Sequence, residues 1–292
     1  MDEELIKNLE NTGKFKVIRK YEKPDFYYPD DRSIKSRGLF IDTETSGLNY
    51  KIDKIIELAI VPFEFSADDG RIFKLHDGYC GLEDPKTNLP QKIISLTGIT
   101  NELVKEKTFN DEEIEKLVAS SDLVVCHHAA FDRPFLEKRF PIFRQKAWCC
   151  SLRQIPWAEE GFGSQTLEYL AYRFKFFFDN HRAETDALAG LHILAQHLPS
   201  GSLVLDCLLK NARRKLYRIW ALGSPFGKKD ILKGRGYRWF PKQEGRTHSW
   251  FIEIDEESLQ SELDFLREEI FKKEINLPID IVKPEDRFSE RI

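Results

Sequence analysis

The chain is predicted to be an α/β protein, a mixed sheet flanked by helices and followed by a small α+β module, on three observations. Strand-like apolar runs and helical periodicities succeed one another in the order βββαβαβαα over the first two hundred residues. A break at Pro199-Ser200-Gly201-Ser202 divides a chain of 292 residues, long enough for about two domains. Beyond the break the pattern shortens to helix, strand, turn, strand and helix.

Residues 1–35 are polar and punctuated by Tyr21, Phe26, Tyr27 and Tyr28, which predicts an extended arm with one short helix. GLFIDTET from Gly38 is rich in strand formers, IIELAIVPFEF from Ile55 continues the pattern to the turn at Asp68-Asp69-Gly70, and a third strand is expected over roughly 72–82. NDEEIEKLVASS then opens a helix, because Asn110 can cap it and Glu113 stands three residues on. LVVCHH is a short strand, FDRPFLEKRF a helix with Pro134 near its first turn, and AWCCSL another strand. Helical spacing returns over 166–174 and 183–197, giving a first domain of 36–199. The second unit, 202–272, starts with a helix-like basic stretch, LVLDCLLKNARRKLYRIW. After a break at 223–227 it continues as helix KKDILKGRG, strand YRWF, turn PKQEGRT, strand HSWFIEI and helix EESLQSELDFLREEIF. An irregular tail is expected over 273–292.

Composition narrows the class. No apolar run approaches the roughly 18 residues of a membrane helix, and the first residues, MDEELIKNLENTGKF, are acidic where a signal peptide is basic. Five cysteines without a CxxC spacing (Cys80, Cys126, Cys149, Cys150, Cys207) argue against a disulfide scaffold or a four-cysteine zinc site. A cytoplasmic protein without membrane contact is the expectation. The net charge of −4 hides an asymmetry: residues 202–250 hold twelve Lys/Arg against three acids, which leaves the other 243 residues at −13. An anionic partner is therefore compatible with a mildly acidic total.

The first domain carries the chemistry. Asp42 and Glu44 stand two apart on a predicted strand, so period-2 geometry puts both carboxylates on one face. Leu39, Phe40 and Ile41 lead directly into them, and two such charges near a sheet face are costly without a counter-cation. Asp132 opens a helix after LVVCHH, and Asp186 sits in a helix near the end of the domain. Four oxygen donors suit a hard divalent ion such as Mg²⁺ or Mn²⁺ rather than zinc.

DTETSGL (42–48), HHAAFDRPFL (127–136) and HRAETDA (181–187) together resemble the three motifs of DnaQ-like 3′-5′ exonucleases, the class with four acids and one histidine, of DNA polymerase III epsilon type. The resemblance covers about 37–198 and implies a ribonuclease H-like fold. It also implies a metal-dependent exonuclease that releases nucleoside 5′-monophosphates from 3′ ends, DNA favoured, in proofreading or repair. Two ions, Mg²⁺ or Mn²⁺, would be held by Asp42, Glu44, Asp132 and Asp186: Asp42 bridging, Glu44 and Asp186 completing one site, Asp132 acting through ordered water. Two metals about 4 Å apart can activate water, neutralise phosphate charge and stabilise the leaving oxygen. His181 is not needed as a ligand and would be the general base. LPQKIISLTGIT (89–100) resembles the segment lining the family's terminal-nucleotide pocket. The implied substrate contacts are Thr43, Leu48, Thr97, Gly98, Ile99, His128 and Phe131, and His128 departs from the asparagine more usual there. Implied partners are a nucleic acid with a free 3′ end and a polymerase or replisome component. An RNA-processing exoribonuclease and a non-catalytic nucleic-acid-binding adaptor stay open as alternatives.

The second unit interleaves basic residues with Tyr217, Trp220, Phe226, Tyr237, Trp239, Phe240, Trp250 and Phe251. The mixture suits a surface that tracks a phosphate backbone and stacks bases, and equally a small aromatic core. Residues 260–265 have the QxxLxF form of a sliding-clamp peptide, but Leu259, Leu263, Leu266 and Ile270 make one stripe of a predicted helix, which argues against that use.

Overall fold

Acids in its first turn favour the opening helix α1 (Glu3–Asn11), after which comes the short strand β1 (Arg19–Lys20). The structure is a computed structural model describing residues 3–241 and 247–291. Contacts divide the chain into two compact units, Met1–Ala212 with Phe288–Ile292, and Arg213–Arg287.

In the first unit β2 (Ser36–Thr45) and β3 (Ile55–Phe65) form a long antiparallel pair in which Asp42 lies opposite Ala59 and Glu44 opposite Glu57. β4 (Ile72–Leu75) and β5 (Tyr79–Leu82) both pair antiparallel with the far edge of β3. The single strand expected over 72–82 is thus two. The break falls where Pro62 of β3 has no N–H to offer the ladder, and its carbonyl instead accepts from the His76 N–H at 2.9 Å. Gly78 passes so close to β3 that a Cβ there would collide with the Ile60 carbonyl.

Helices α2 (Gln91–Thr97), α3 (Asn101–Val104) and α4 (Asp111–Ala119) follow, the last capped by Asn110, whose side chain accepts from the Glu113 N–H at 3.3 Å. β6 (Leu123–Cys126) then pairs parallel with β2, α5 (Ala129–Arg139) follows, and β7 (Ala147–Cys150) pairs parallel with β6. The sheet order is β4-β3-β2-β6-β7 with β5 beside β3. α6 (Leu167–Arg173), β8 (Phe176–Phe177), α7 (Ala183–Leu194) and α8 (Val204–Arg213) complete the unit.

β2 is buried on both faces, as a strand between helical layers must be. Leu39 and Ile41 join Ile114, Val118, Phe135 and Leu136 of α4 and α5, while Phe40 joins Ala187, Leu191 and Leu194 of α7. Val204, Leu205, Leu208 and Leu209 of α8 lie in the same cluster as Phe40, so the domain limit expected at 199–202 moves to Ala212/Arg213. The turn at Pro199-Gly201 is a connection inside the unit because the apolar face of α8 is covered by this core. The expected arm, 1–35, likewise belongs to the first unit: β1 pairs parallel with β8, and Tyr21 and Tyr27 pack with Phe176 and His192. Burial of those rings outweighs the polar composition around them.

The second unit is an antiparallel sheet in the order β10-β11-β9-β12, formed by β9 (Leu216–Ala221), β10 (Arg238–Phe240), β11 (Ser249–Asp255) and β12 (Ile279–Val282). Helices α9 (Lys229–Gly234) and α10 (Leu259–Phe265) accompany it. Two expectations are corrected here. The helix-like stretch after 202 is helix only as far as Arg213 and strand from Leu216, and the tail beyond 273 supplies β12, which pairs with β9. β-Branched residues in a short segment such as IDIV adopt whichever backbone a free strand edge offers. Of the turn PKQEGRT, 242–246 lie outside the described residues. Ile219, Ala221, Leu232, Tyr237, Leu266, Ile270 and Leu277 form the core of this unit. Residues 260–265 lie within α10, where Leu263 and Phe265 pack against that core.

Candidate active site

The C-terminal half of β2 presents both of its acids on one face. Asp42 and Glu44 share the parity of Phe40 and therefore face α7, whereas Thr43 shares that of Leu39 and Ile41 and faces α5. The Thr43 hydroxyl donates to Asp132 Oδ1 at 2.8 Å, tying β2 to the first turn of α5. From the other side, the first turn of α7 brings Asp186, whose Oδ2 accepts from the Arg182 N–H at 2.9 Å. Carboxylate oxygens of Asp42, Glu44 and Asp186 all lie within 4.8 Å of one another. Asp132 stands outside that trio.

A cleft beyond the carboxyl ends of the parallel strands β2 and β6 is lined by Asp42, Thr43, Glu44, His128, Phe131, Asp132, His181 and Asp186 of the expected residues, with His127 and Leu167 added. Open α/β sheets bind their ligands at this end, where loops and helix N-termini converge. Leu48, Thr97, Gly98 and Ile99 do not line it. Leu48 projects from the loop after β2 with its side chain 83% exposed, Gly98 is the left-handed C-cap of α2, and Ile99 is buried with Ile56, Leu89 and Val104.

Burial, and after it repulsion from Asp132, Asp186 and Glu44, holds the Asp42 carboxyl well above the usual carboxylate range. Burial and then Asp186 push Glu44 up to about 8. Asp186 is pushed up to about 7 by burial despite its backbone hydrogen bond, and Asp132 to about 7 by burial despite the Thr43 hydroxyl. Four carboxyls whose burial raises their pKa, three of them converging, are a donor set suited to hard divalent cations.

His181 precedes α7 with φ of 63°, a left-handed backbone that is uncommon for a side-chain-bearing residue, and it lines the cleft beside the acids. His128 carries a pKa lowered by burial. His127 is enclosed: its ring nitrogens pair with Ser151 Oγ at 2.9 Å and the Gln165 carbonyl at 2.8 Å, and burial brings its pKa down to about 4.

Sequence reasoning missed Glu57. It is buried opposite Glu44, and it accepts from Arg182 Nη2 at 2.6 Å, from Arg182 Nε at 3.0 Å and from the Ala183 N–H at 2.9 Å. This clamp seats the N-terminus of α7, and with it Asp186, against the sheet. The available signal was an acid, Glu57, set between Ile56 and Leu58 near the start of the apolar run IIELAIVPFEF.

The exonuclease family RNase_T matches residues 39–194. The DNA polymerase III PolC-type protein of Clostridium perfringens is 36% identical over 110 residues, 37% of this chain and 7% of that protein. Its counterpart in Mycoplasma pneumoniae is 29% identical over 172 residues, 55% of this chain and 11% of that protein. The chain therefore spans only about a tenth of the length of these relatives. A solved structure of exonuclease I superposes with a TM-score of 0.50 at 17% identity, covering 86% of this chain and 63% of that one, a likeness of fold.

Proposed function

The chain belongs to the exonuclease family, the DnaQ-like 3′-5′ exonucleases with their ribonuclease H-like sheet, and on that premise we propose a metal-dependent exonuclease that removes nucleoside 5′-monophosphates from 3′ ends of single-stranded or frayed nucleic acid. The observation that carries the proposal is the convergence of Asp42, Glu44 and Asp186 within 4.8 Å in a cleft that also holds Asp132 and His181. Asp42, Glu44 and Asp186 would hold divalent ions, Mg²⁺ or Mn²⁺ and two in number, with Asp132 acting through water. When bound, such ions neutralise charge on the phosphate and on the departing 3′-oxygen.

The chain's own groups do the rest. His181 takes a proton from the attacking water as its oxygen bonds to phosphorus. The P–O3′ bond breaks, and the leaving oxygen takes a proton from solvent. Thr43 and His128 offer hydrogen bonds to the terminal sugar and phosphate, Phe131 walls the base, and exposed Leu48 provides an apolar wedge. Thr97, Gly98 and Ile99 shape the neighbouring segment from outside the cleft.

DNA is favoured because the relatives of the first unit carry DNA polymerase III names, and the same relationship supports a polymerase or replisome partner and a cytoplasmic site of action. With labelled single-stranded DNA and Mn²⁺, an Asp42→Ala/Glu44→Ala variant is expected to lose at least about 10³-fold in rate, roughly 4 kcal/mol of barrier. Undiminished degradation by that variant would sink the assignment. Matched DNA and RNA oligonucleotides with paired and mismatched 3′ ends test the substrate class. Faster cleavage of RNA would redirect the function to RNA processing, and faster cleavage of the DNA mismatch supports proofreading.

A further inference from the structure

The second unit has a cleft that its own core does not need. It is lined by Phe226, Lys229, Trp239, His248 and Trp250, with Ser224 at one side. Phe226 is 82% exposed and Trp239 50% exposed, whereas Tyr237, Phe240, Phe251 and Trp220 are buried. Small units use aromatic rings to build a core, but rings left in water gain nothing for folding. Trp239 stands directly opposite Trp250 in the β10–β11 pair, with ring centroids 5.4 Å apart and nearly edge to face, and His248 packs on Trp239 at 5.4 Å. These contacts hold the indole in place while leaving half of it open, a stacking platform rather than a flexible side chain.

Among the described residues that line the cleft, Lys229 is the one lysine and no carboxylate joins it. Arg218, Arg235 and Arg238 are directed to Glu253 and Glu262. Lys228, Lys229 and Lys233 have no carboxylate partner among the described residues, and the Lys229 ammonium lies 4.7 Å from the Phe226 ring centroid. Exposed aromatic rings bordered by an ammonium group without a carboxylate partner complement a ligand that alternates flat rings with phosphates.

We infer that this cleft binds single-stranded nucleic acid, stacking a base on Trp239 and Phe226 while Lys229 and its neighbours meet the adjoining phosphates. The choice of ligand rests on the exonuclease function proposed above, and the test separates the two. Affinity of the full-length protein for a fluorescent oligothymidylate is measured by anisotropy in EDTA, where no hydrolysis is required, together with quenching of tryptophan emission. Stacking of this kind predicts that Phe226→Ala and Trp239→Ala each weaken binding about fivefold or more, and that Lys229→Gln flattens the salt dependence. Phe226 is too exposed to support the fold, so its variant answers even if Trp239→Ala melts early. Unchanged affinity in a folded Phe226→Ala protein would overturn the inference. So would emission quenched by a proline-rich peptide but by no oligonucleotide, which would make the cleft a protein-docking site. Hydrolysis of labelled DNA by the wild-type protein with Mn²⁺ scores the exonuclease function independently.

Discussion

His181 combines a left-handed backbone with a place beside the acids, and strain of this kind persists only where the surroundings enforce it. A base in that position predicts that His181→Ala lowers kcat by about 10²- to 10⁴-fold while metal-dependent DNA binding remains. Equal losses of binding and turnover would instead make His181 structural. Glu57 acts through other groups. Glu57→Gln keeps the shape but cannot serve both the Arg182 guanidinium and the Ala183 N–H as a carboxylate does. It is expected to cost about 1–3 kcal/mol of stability in chemical denaturation, the range for a disrupted charged hydrogen bond, and to raise the Mn²⁺ concentration needed for half-activity. A wild-type metal requirement would refute the positioning role.

At the scale of elements, the site depends on α7 lying tightly across β2. Gly190 makes that approach possible, because a Cβ there would collide with the ring of Phe40 on β2. Two effects compete in Gly190→Ala: alanine improves helix propensity by about 1 kcal/mol, and overpacking a rigid aromatic core costs about 1–3 kcal/mol. Phe40 is fully buried and cannot retreat, so destabilisation is expected, with loss of activity because Asp186 shifts relative to Asp42 and Glu44. An alanine variant as stable as wild type in urea would show that the helix accommodates the methyl group. α8 illustrates the same logic, since its apolar face assigns it to the first unit whatever the turn before it suggests.

For the molecule as a whole, the acid cluster links stability to pH and metal. Asp132 and Asp186 at about 7 and Glu44 at about 8 bind protons more tightly folded than unfolded, so the metal-free protein loses stability as pH rises from about 4 to 8. His127 and His192, lowered to about 4 by burial, work in the opposite sense, favouring the fold as pH rises from about 4 to 6.5. Above about 6.5 only the carboxyl effect remains. Calorimetry in EDTA should therefore show a lower Tm at pH 8 than at pH 6.5, and Mn²⁺ at about 100 times its Kd should add about 2.7 kcal/mol, or roughly 5–10 °C. At one fixed Mn²⁺ concentration the gain should be larger at pH 8, where protons compete less and the Kd is lower. A Tm indifferent to both pH and Mn²⁺ would mean that the cluster holds no cation.

The sequence alone determined that a strand would present Asp42 and Glu44 together, that Asn110 would cap a helix, and that Asp132, His181 and Asp186 stood in segments resembling one exonuclease set. These properties are local: alternation, capping and motif spacing are carried by residues within a few positions of one another. Tertiary structure decided what depends on distant partners. It joined Glu57 to Arg182 across 125 positions, split the third strand at Pro62, drew the arm and α8 into the first unit, and made a strand of residues 279–282. It also left Trp239 and Phe226 open to solvent while their neighbours closed into a core. Composition cannot distinguish those fates, because a ring is buried or presented according to which surface the folded chain brings against it.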